Sequence, residues 1–107
     1  MEETSLTALR FLIIDDSQPM RDFLQALLEA MGINDVIQAR NGEEGLRLFH
    51  TKNPDIIITD GAMSPMDGYE LTDHIRTNPD CPNPYVPIVM LSGYLGSAQI
   101  EKARAKG

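Results

Sequence analysis

Four short apolar runs, separated by longer amphipathic stretches, constrain how this chain folds more than any other feature. They occupy residues 10–14 (RFLII), 36–39 (VIQA), 56–59 (IIIT) and 88–91 (IVML). Compact runs of this kind suit strands buried on both faces. The β-branched IIIT run is best placed at the centre of a sheet. Between the runs the apolar residues recur at helical spacing. Ser17 is placed to cap a helix with Pro19 in its first turn, where a missing N–H costs little. Met20, Leu24, Leu27, Leu28 and Met31 follow at helical spacing with Phe23 alongside, and Gly32 ends the helix.

Asn41 and Glu44 resemble a capping box and open a second helix, carrying Leu46, Leu48 and Phe49 and stopping before Pro54. Asp67 caps a third helix through Leu71, Ile75 and Arg76. Residues 78–87 hold four prolines and read as a loop. Ser97 caps a last helix, with Ile100 and Ala103 facing inward and Gly107 at its end. The methionines at 20, 31 and 90 read as core, and Met63 and Met66 shape the loop after Asp60. His74 reads as a residue of an exposed helix face.

Strands alternating with helices predict an α/β fold around a parallel sheet. Such sheets place their sites in the loops beyond the carboxyl ends of the strands. Those ends are Asp15-Asp16, Ala39-Arg40, Thr59-Asp60 and Leu91-Ser92. Three carboxylates and one hydroxyl are therefore expected along one edge.

Length and composition narrow the classes further. The 107 residues make one domain. No apolar run approaches the roughly 18 residues that span a bilayer. Residues 1–8 read as a leader without visible chemistry, and their makeup is not that of a signal peptide. One cysteine, Cys81, makes no internal disulfide and suits a reducing compartment, so a cytoplasmic location is expected. The formal charge of −7 disfavours direct nucleic-acid binding, which draws on Lys and Arg.

Carboxylates brought within a few ångströms repel, and without a cation one is driven toward its neutral form or swings away. A hard divalent cation relieves this, and Mg²⁺ takes one or two carboxylates together with water and phosphate oxygens. No His or Cys stands at these strand ends, which argues against zinc or copper. A carboxylate beside a metal can also act as a nucleophile toward phosphorus. Asp60 is placed for that role, with the Ser92 hydroxyl and the backbone N–H groups of Gly61, Ala62 and Gly93 as candidate donors to phosphoryl oxygens. Taken alone, Asp16 or Asp67 is better read as a helix cap. An acidic pair ending one strand together with an Asp ending another is much harder to explain as capping. Ser92 alone carries little weight, and Tyr94 reads as a loop aromatic.

The segments FLIIDDSQPMR, IIITDGAMSPMDGYEL and PIVMLSGY, in that order and spacing, resemble the receiver domains of bacterial response regulators. The resemblance runs through nearly the whole chain, with the receiver at residues 9–107. It implies a doubly wound, flavodoxin-like (CheY-like) sheet of order 2-1-3-4-5. It also implies that Asp60 is the phosphoacceptor, Asp16 the main acidic Mg²⁺ ligand, Asp15 a ligand acting through metal-bound water, and the Ala62 carbonyl a further ligand. Ser92 would be the switch hydroxyl, while Ala62 and Tyr94 would tune the lifetime of the phosphoryl group. The implied partner is a sensor histidine kinase or histidine phosphotransfer protein. A domain of this kind is a switch rather than a conventional enzyme, although it assists its own phosphorylation and dephosphorylation.

Two departures from the family pattern stand out. Ser64 holds the place where the family carries Pro, and Pro65 follows, so this turn is expected to differ at unchanged length. The family's fifth strand, with its Lys-Pro, and its fifth helix lie beyond the residues present, so the sequence is expected to be part of a longer receiver. A chain ending naturally at Gly107 would be expected to dimerise through the edge left open. The rival reading is a degenerate receiver that docks a partner without phosphorylation. A hydrolase of the aspartyl-phosphate type fits poorly, because no D-x-D pattern follows a strand.

Overall fold

A computed structural model describes residues 6–64 and 66–91. A 3₁₀ turn at Leu6–Ala8 leads into β1 (Phe11–Ile14), α1 (Gln18–Ala30), β2 (Val36–Ala39), α2 (Gly42–Lys52), β3 (Ile56–Asp60), α3 (Gly68–Thr77) and β4 (Ile88–Leu91). The strands form one parallel sheet in the order β2-β1-β3-β4. That is the α/β architecture and the 2-1-3-4 order expected above. The last expected helix, with Ser97, Ile100 and Ala103, lies outside the described residues.

β1 and β3 are the two inner strands, as expected for the IIIT run of β3, and β1 pairs Phe11 with Val36 on one side and with Ile56 on the other. All four of its residues are buried. Alternation splits them between two cores. Leu12 and Ile14 join Phe49, Ile57, Leu71, Ile75 and Val86 beneath α2 and α3. Phe11 and Ile13 join Leu28 and Ile33 beneath α1. Helices on both faces are what make continuous apolar strands stable, since each fully buried Leu or Ile contributes about 1.5–3 kcal/mol.

The helix signals operate as local chemistry. Ser17 caps α1 by accepting from the Met20 N–H at 3.3 Å, and Pro19 occupies its first turn. Asn41 caps α2 by accepting from the Glu44 N–H at 2.8 Å. Asp67 and Glu70 form a reciprocal capping box at the start of α3. Gly32, just past α1, takes φ +89°, a left-handed value that favours glycine.

Arg10 lies outside the strand that its run suggested, and fastens β1 at its entry. Its main-chain N–H donates to Asp55, and its guanidinium reaches Asp35 and the Lys52 carbonyl. Arg76 donates to the carbonyls of Pro84 and Val86, which fixes the proline-rich loop before β4. His74 is half-buried rather than exposed, with its ring nitrogen 2.9 Å from the Asn78 amide.

The apolar stripe of α1 divides in two. Leu28 is buried and Leu24 half-buried against the sheet, whereas Met20, Phe23, Leu27 and Met31 are exposed. The reading of Met20 and Met31 as core is therefore corrected, and Met90 is only half-buried. The stripe is wider than the arc that one sheet face covers, and helical spacing cannot tell the two arcs apart.

Candidate functional site

The carboxyl ends of β1 and β3 are adjacent in the sheet, so Asp15, Asp16 and Asp60 leave the same edge. One carboxylate oxygen from each lies within 4.8 Å of the others. Like charges about 4 Å apart repel by on the order of 1–4 kcal/mol between bulk water and a protein surface.

The three carboxylates differ in setting. Asp15 is buried, and its Oδ1 accepts the Ser17 N–H at 2.8 Å. Its main chain is tied as well, through the Ala39 carbonyl and the Arg21 guanidinium. Burial pushes the Asp15 carboxyl above its ordinary pKa, and the neighbouring charges of Asp60 and Asp16 push the same way. The Ser17 N–H opposes them. Asp16 is exposed and Asp60 half-buried, so the cluster opens to solvent on one side.

Asp60 ends β3, where Oδ1 accepts the Ala62 N–H at 3.2 Å. The Gly61 N–H, a candidate phosphoryl donor on sequence, is engaged with the Leu91 carbonyl at 2.8 Å. The Gly61 carbonyl accepts from the Gly68 N–H at 3.1 Å, drawing the start of α3 against β3. A groove of about 310 Å³ opens beside the cluster, lined by Asp16, Gly61, Ala62, Met63, Ser64, Asp67 and Tyr69. Met63 is buried in the core while Ala62 and Ser64 face solvent.

Asp67 acts as the helix cap that its position suggested, while also lining this groove. Ser92, Gly93, Tyr94 and Pro65 lie outside the described residues. β4 nevertheless ends beside the end of β3, because Leu91 pairs with Asp60.

The donor set fits a hard divalent cation. It is all oxygen, it clusters three carboxylates that repel when bare, and its open side leaves room for water and a phosphate. Zinc and copper sites draw instead on His and Cys, and neither is in the cluster.

One family model, that of the response regulator receiver domain, matches residues 11–107, a range that contains all three carboxylates of the cluster. The chain belongs to that family.

Curated proteins match most of the chain as well. A probable transcriptional regulator ycf27 from Guillardia theta is 40% identical over 83 residues, covering 78% of this chain and 30% of the relative. The autoinducer 1 sensor kinase/phosphatase LuxN from Vibrio harveyi is 33% identical over 90 residues, covering 84% of this chain and 10% of the relative. The receiver thus spans under a third of either curated protein. Among solved structures, the receiver domain of the histidine kinase CKI1 from Arabidopsis thaliana, complexed with Mg²⁺, superimposes with a TM-score of 0.85 at 31% identity. That match covers 95% of this chain and 80% of the other. Among the described residues no helix is long and apolar enough to cross a membrane.

Two contributors to the site were not singled out from the sequence. Arg21 is a buried cation behind Asp15, and its signal was its spacing, since it shares the inner arc of α1 with Leu24 and Leu28. Gly68 is the other. Its place after Asp67 marked a helix start, but nothing local showed that it abuts Asp60.

Proposed function

We propose that this receiver, residues 9–107 behind a short leader, takes a phosphoryl group onto Asp60 from a phosphohistidine donor in a sensor kinase or phosphotransfer protein. The observation that carries this reading is the convergence of Asp15, Asp16 and Asp60 within 4.8 Å on one open edge. Asp60 Oδ attacks phosphorus in line as the P–N bond of the donor breaks, and the imidazole leaves as the P–O bond forms. Asp15, Asp16, Asp60 and the Ala62 carbonyl would hold Mg²⁺. When bound, that ion neutralises charge on the phosphoryl oxygens.

The protein's own groups prepare the attack. The Ala62 N–H holds Asp60 Oδ1, leaving Oδ2 for phosphorus. Ser92 is assigned the switch hydroxyl, Gly93 a backbone donor, and Ala62 and Tyr94 the positions that govern phosphoryl lifetime. Added charge at Asp60 then biases a two-state equilibrium in the segment after β4. The reading places the domain in the cytoplasm, as a signalling switch that binds proteins rather than nucleic acid.

Incubation with phosphoramidate, whose P–N bond mimics the phosphohistidine donor, tests this. One phosphoryl group per chain is expected in the presence of Mg²⁺, and none with chelator or in Asp60→Ala. Uptake unchanged in Asp60→Ala would overturn the assignment, and no uptake by the wild type would leave a docking module.

A further inference from the structure

The Arg21 side chain is 8% exposed, yet no carboxylate among the described residues pairs with it. Its hydrogen-bond partners are neutral: one terminal nitrogen donates to the Asp15 carbonyl at 2.7 Å, and Nε donates to Gln38 Oε1 at 3.0 Å. Gln38 is held in turn by donating to Gln25 at 2.6 Å and Asp22 at 3.4 Å. Burying a cation without a counter-charge is costly, and an apolar residue on this inner arc would tie α1 to the sheet at less expense. The guanidinium thus supplies something that packing alone does not.

What it grips is the carbonyl of the peptide joining Asp15 to Asp16. The Asp15 N–H on the other side donates to Ala39 at 3.1 Å, and the Asp15 side chain accepts from Ser17. With both flanks and the carboxylate fixed, the plane of the 15–16 peptide is set. That plane decides where the Asp16 α-carbon, and so its otherwise exposed carboxylate, is directed. We infer that Arg21, braced by Gln38, is a positioning residue that orients the Asp15–Asp16 peptide and thereby sets the divalent-cation affinity of the cluster. The inference rests on the metal-assisted reading of the site.

The sign of the effect separates positioning from charge. Arg21 pairs with none of the three carboxylates. A fixed cation behind Asp15 acts on a second cation through space only by repulsion, so its removal on purely electrostatic grounds would tighten Mg²⁺ binding. Removal of a positioning group weakens it instead, and outer partners of metal ligands typically contribute about 10–100-fold in affinity.

The experiment is calorimetric titration of the whole chain with MgCl₂, comparing wild type, Arg21→Met, Arg21→Lys and Gln38→Leu under conditions where circular dichroism shows each folded. Hydrogen exchange at the Ser17 amide of the metal-free protein is measured in parallel. Both Arg21 variants are expected to bind Mg²⁺ about tenfold more weakly, Gln38→Leu by less, and all three to exchange the Ser17 amide faster while β3 amides keep their protection. Lysine retains the charge but not the forked donor, so its failure to rescue marks geometry as the cause. Wild-type affinity in folded Arg21 variants, or tighter binding in Arg21→Met, would overturn the inference. If Arg21→Met does not fold, Arg21→Lys and Gln38→Leu decide by the same criteria. A wild type that binds no Mg²⁺ while the Ser17 amide still responds would contradict the metal reading rather than the positioning geometry.

Discussion

The α-carbon of Gly68 lies so close to the main chain of Asp60 that a β-carbon at Gly68 would collide with the Asp60 carbonyl oxygen. The same β-carbon would sit 3.0 Å from the α-carbon of Gly61. The first turn of α3 is thus built directly against the residue assigned as phosphoacceptor, and backbone offers no flexible tip that can yield.

Gly68→Ala is therefore expected to displace Asp60 or the start of α3. Overpacking of this kind costs typically about 1–3 kcal/mol. Urea denaturation is expected to show a loss in that range. Phosphorylation by phosphoramidate is expected to slow by more than the folded fraction accounts for.

Asp15 supplies a pH dependence. Its carboxyl is pushed above the ordinary value, chiefly by burial. A raised folded-state pKa means that the folded protein holds its proton more tightly than the unfolded chain. The stabilisation is complete at acid pH, below the unfolded value, and is lost as pH rises through the folded value. Near neutrality the ionised Asp15 is then a cost in the metal-free protein. Asp15→Asn is expected to raise Tm at pH 7 without Mg²⁺ and to change it little at pH 3. A lowered Tm at pH 7 would contradict this account.

Asp16 allows metal binding to be separated from folding. It is exposed but repels its two neighbours, so Asp16→Asn is expected to leave the metal-free protein folded and to raise its stability, by about 1 kcal/mol or less. Ligand at 100 times its Kd stabilises a folded protein by about 2.7 kcal/mol. Saturating Mg²⁺ is expected to raise the Tm of the wild type, and this rise should shrink sharply in Asp16→Asn and vanish with chelator.

The two arcs of α1 and the core beneath α2 give a packing test. Phe49 is fully buried, and Phe49→Ala is expected to cost about 3–5 kcal/mol. Phe23 is 57% exposed, and Phe23→Ala is expected to cost within about 0.5 kcal/mol. Equal losses in denaturant titrations would show that the outer arc is covered in solution.

The elements were legible because their signals are local. Ser17, Asn41 and Asp67 cap the helices that they were expected to cap, since a cap depends on residues three positions away. The convergence of Asp15, Asp16 and Asp60 was legible because a parallel sheet places all strand ends on one edge. Strand order was not in the spacing and came with the family resemblance. Met20 and Met31 were misplaced because periodicity marks an apolar face without naming what covers it. Arg21 was passed over because its partners, the Asp15 carbonyl and Gln38 on β2, are set by tertiary structure. The Gly61 N–H was likewise committed by sheet pairing, through a bond to β4 thirty residues later in the chain.

The central claim is that Asp60 itself carries the phosphoryl group, and borohydride trapping tests it most directly. The chain is treated with acetyl phosphate and Mg²⁺, reduced with sodium borohydride, digested, and mapped by tandem mass spectrometry. An acyl phosphate at Asp60 predicts homoserine at position 60, dependent on Mg²⁺ and absent from the untreated control. Homoserine at Asp15 or Asp16 instead, or an unmodified peptide from a chain whose intact mass shows a phosphoryl group, would contradict the account.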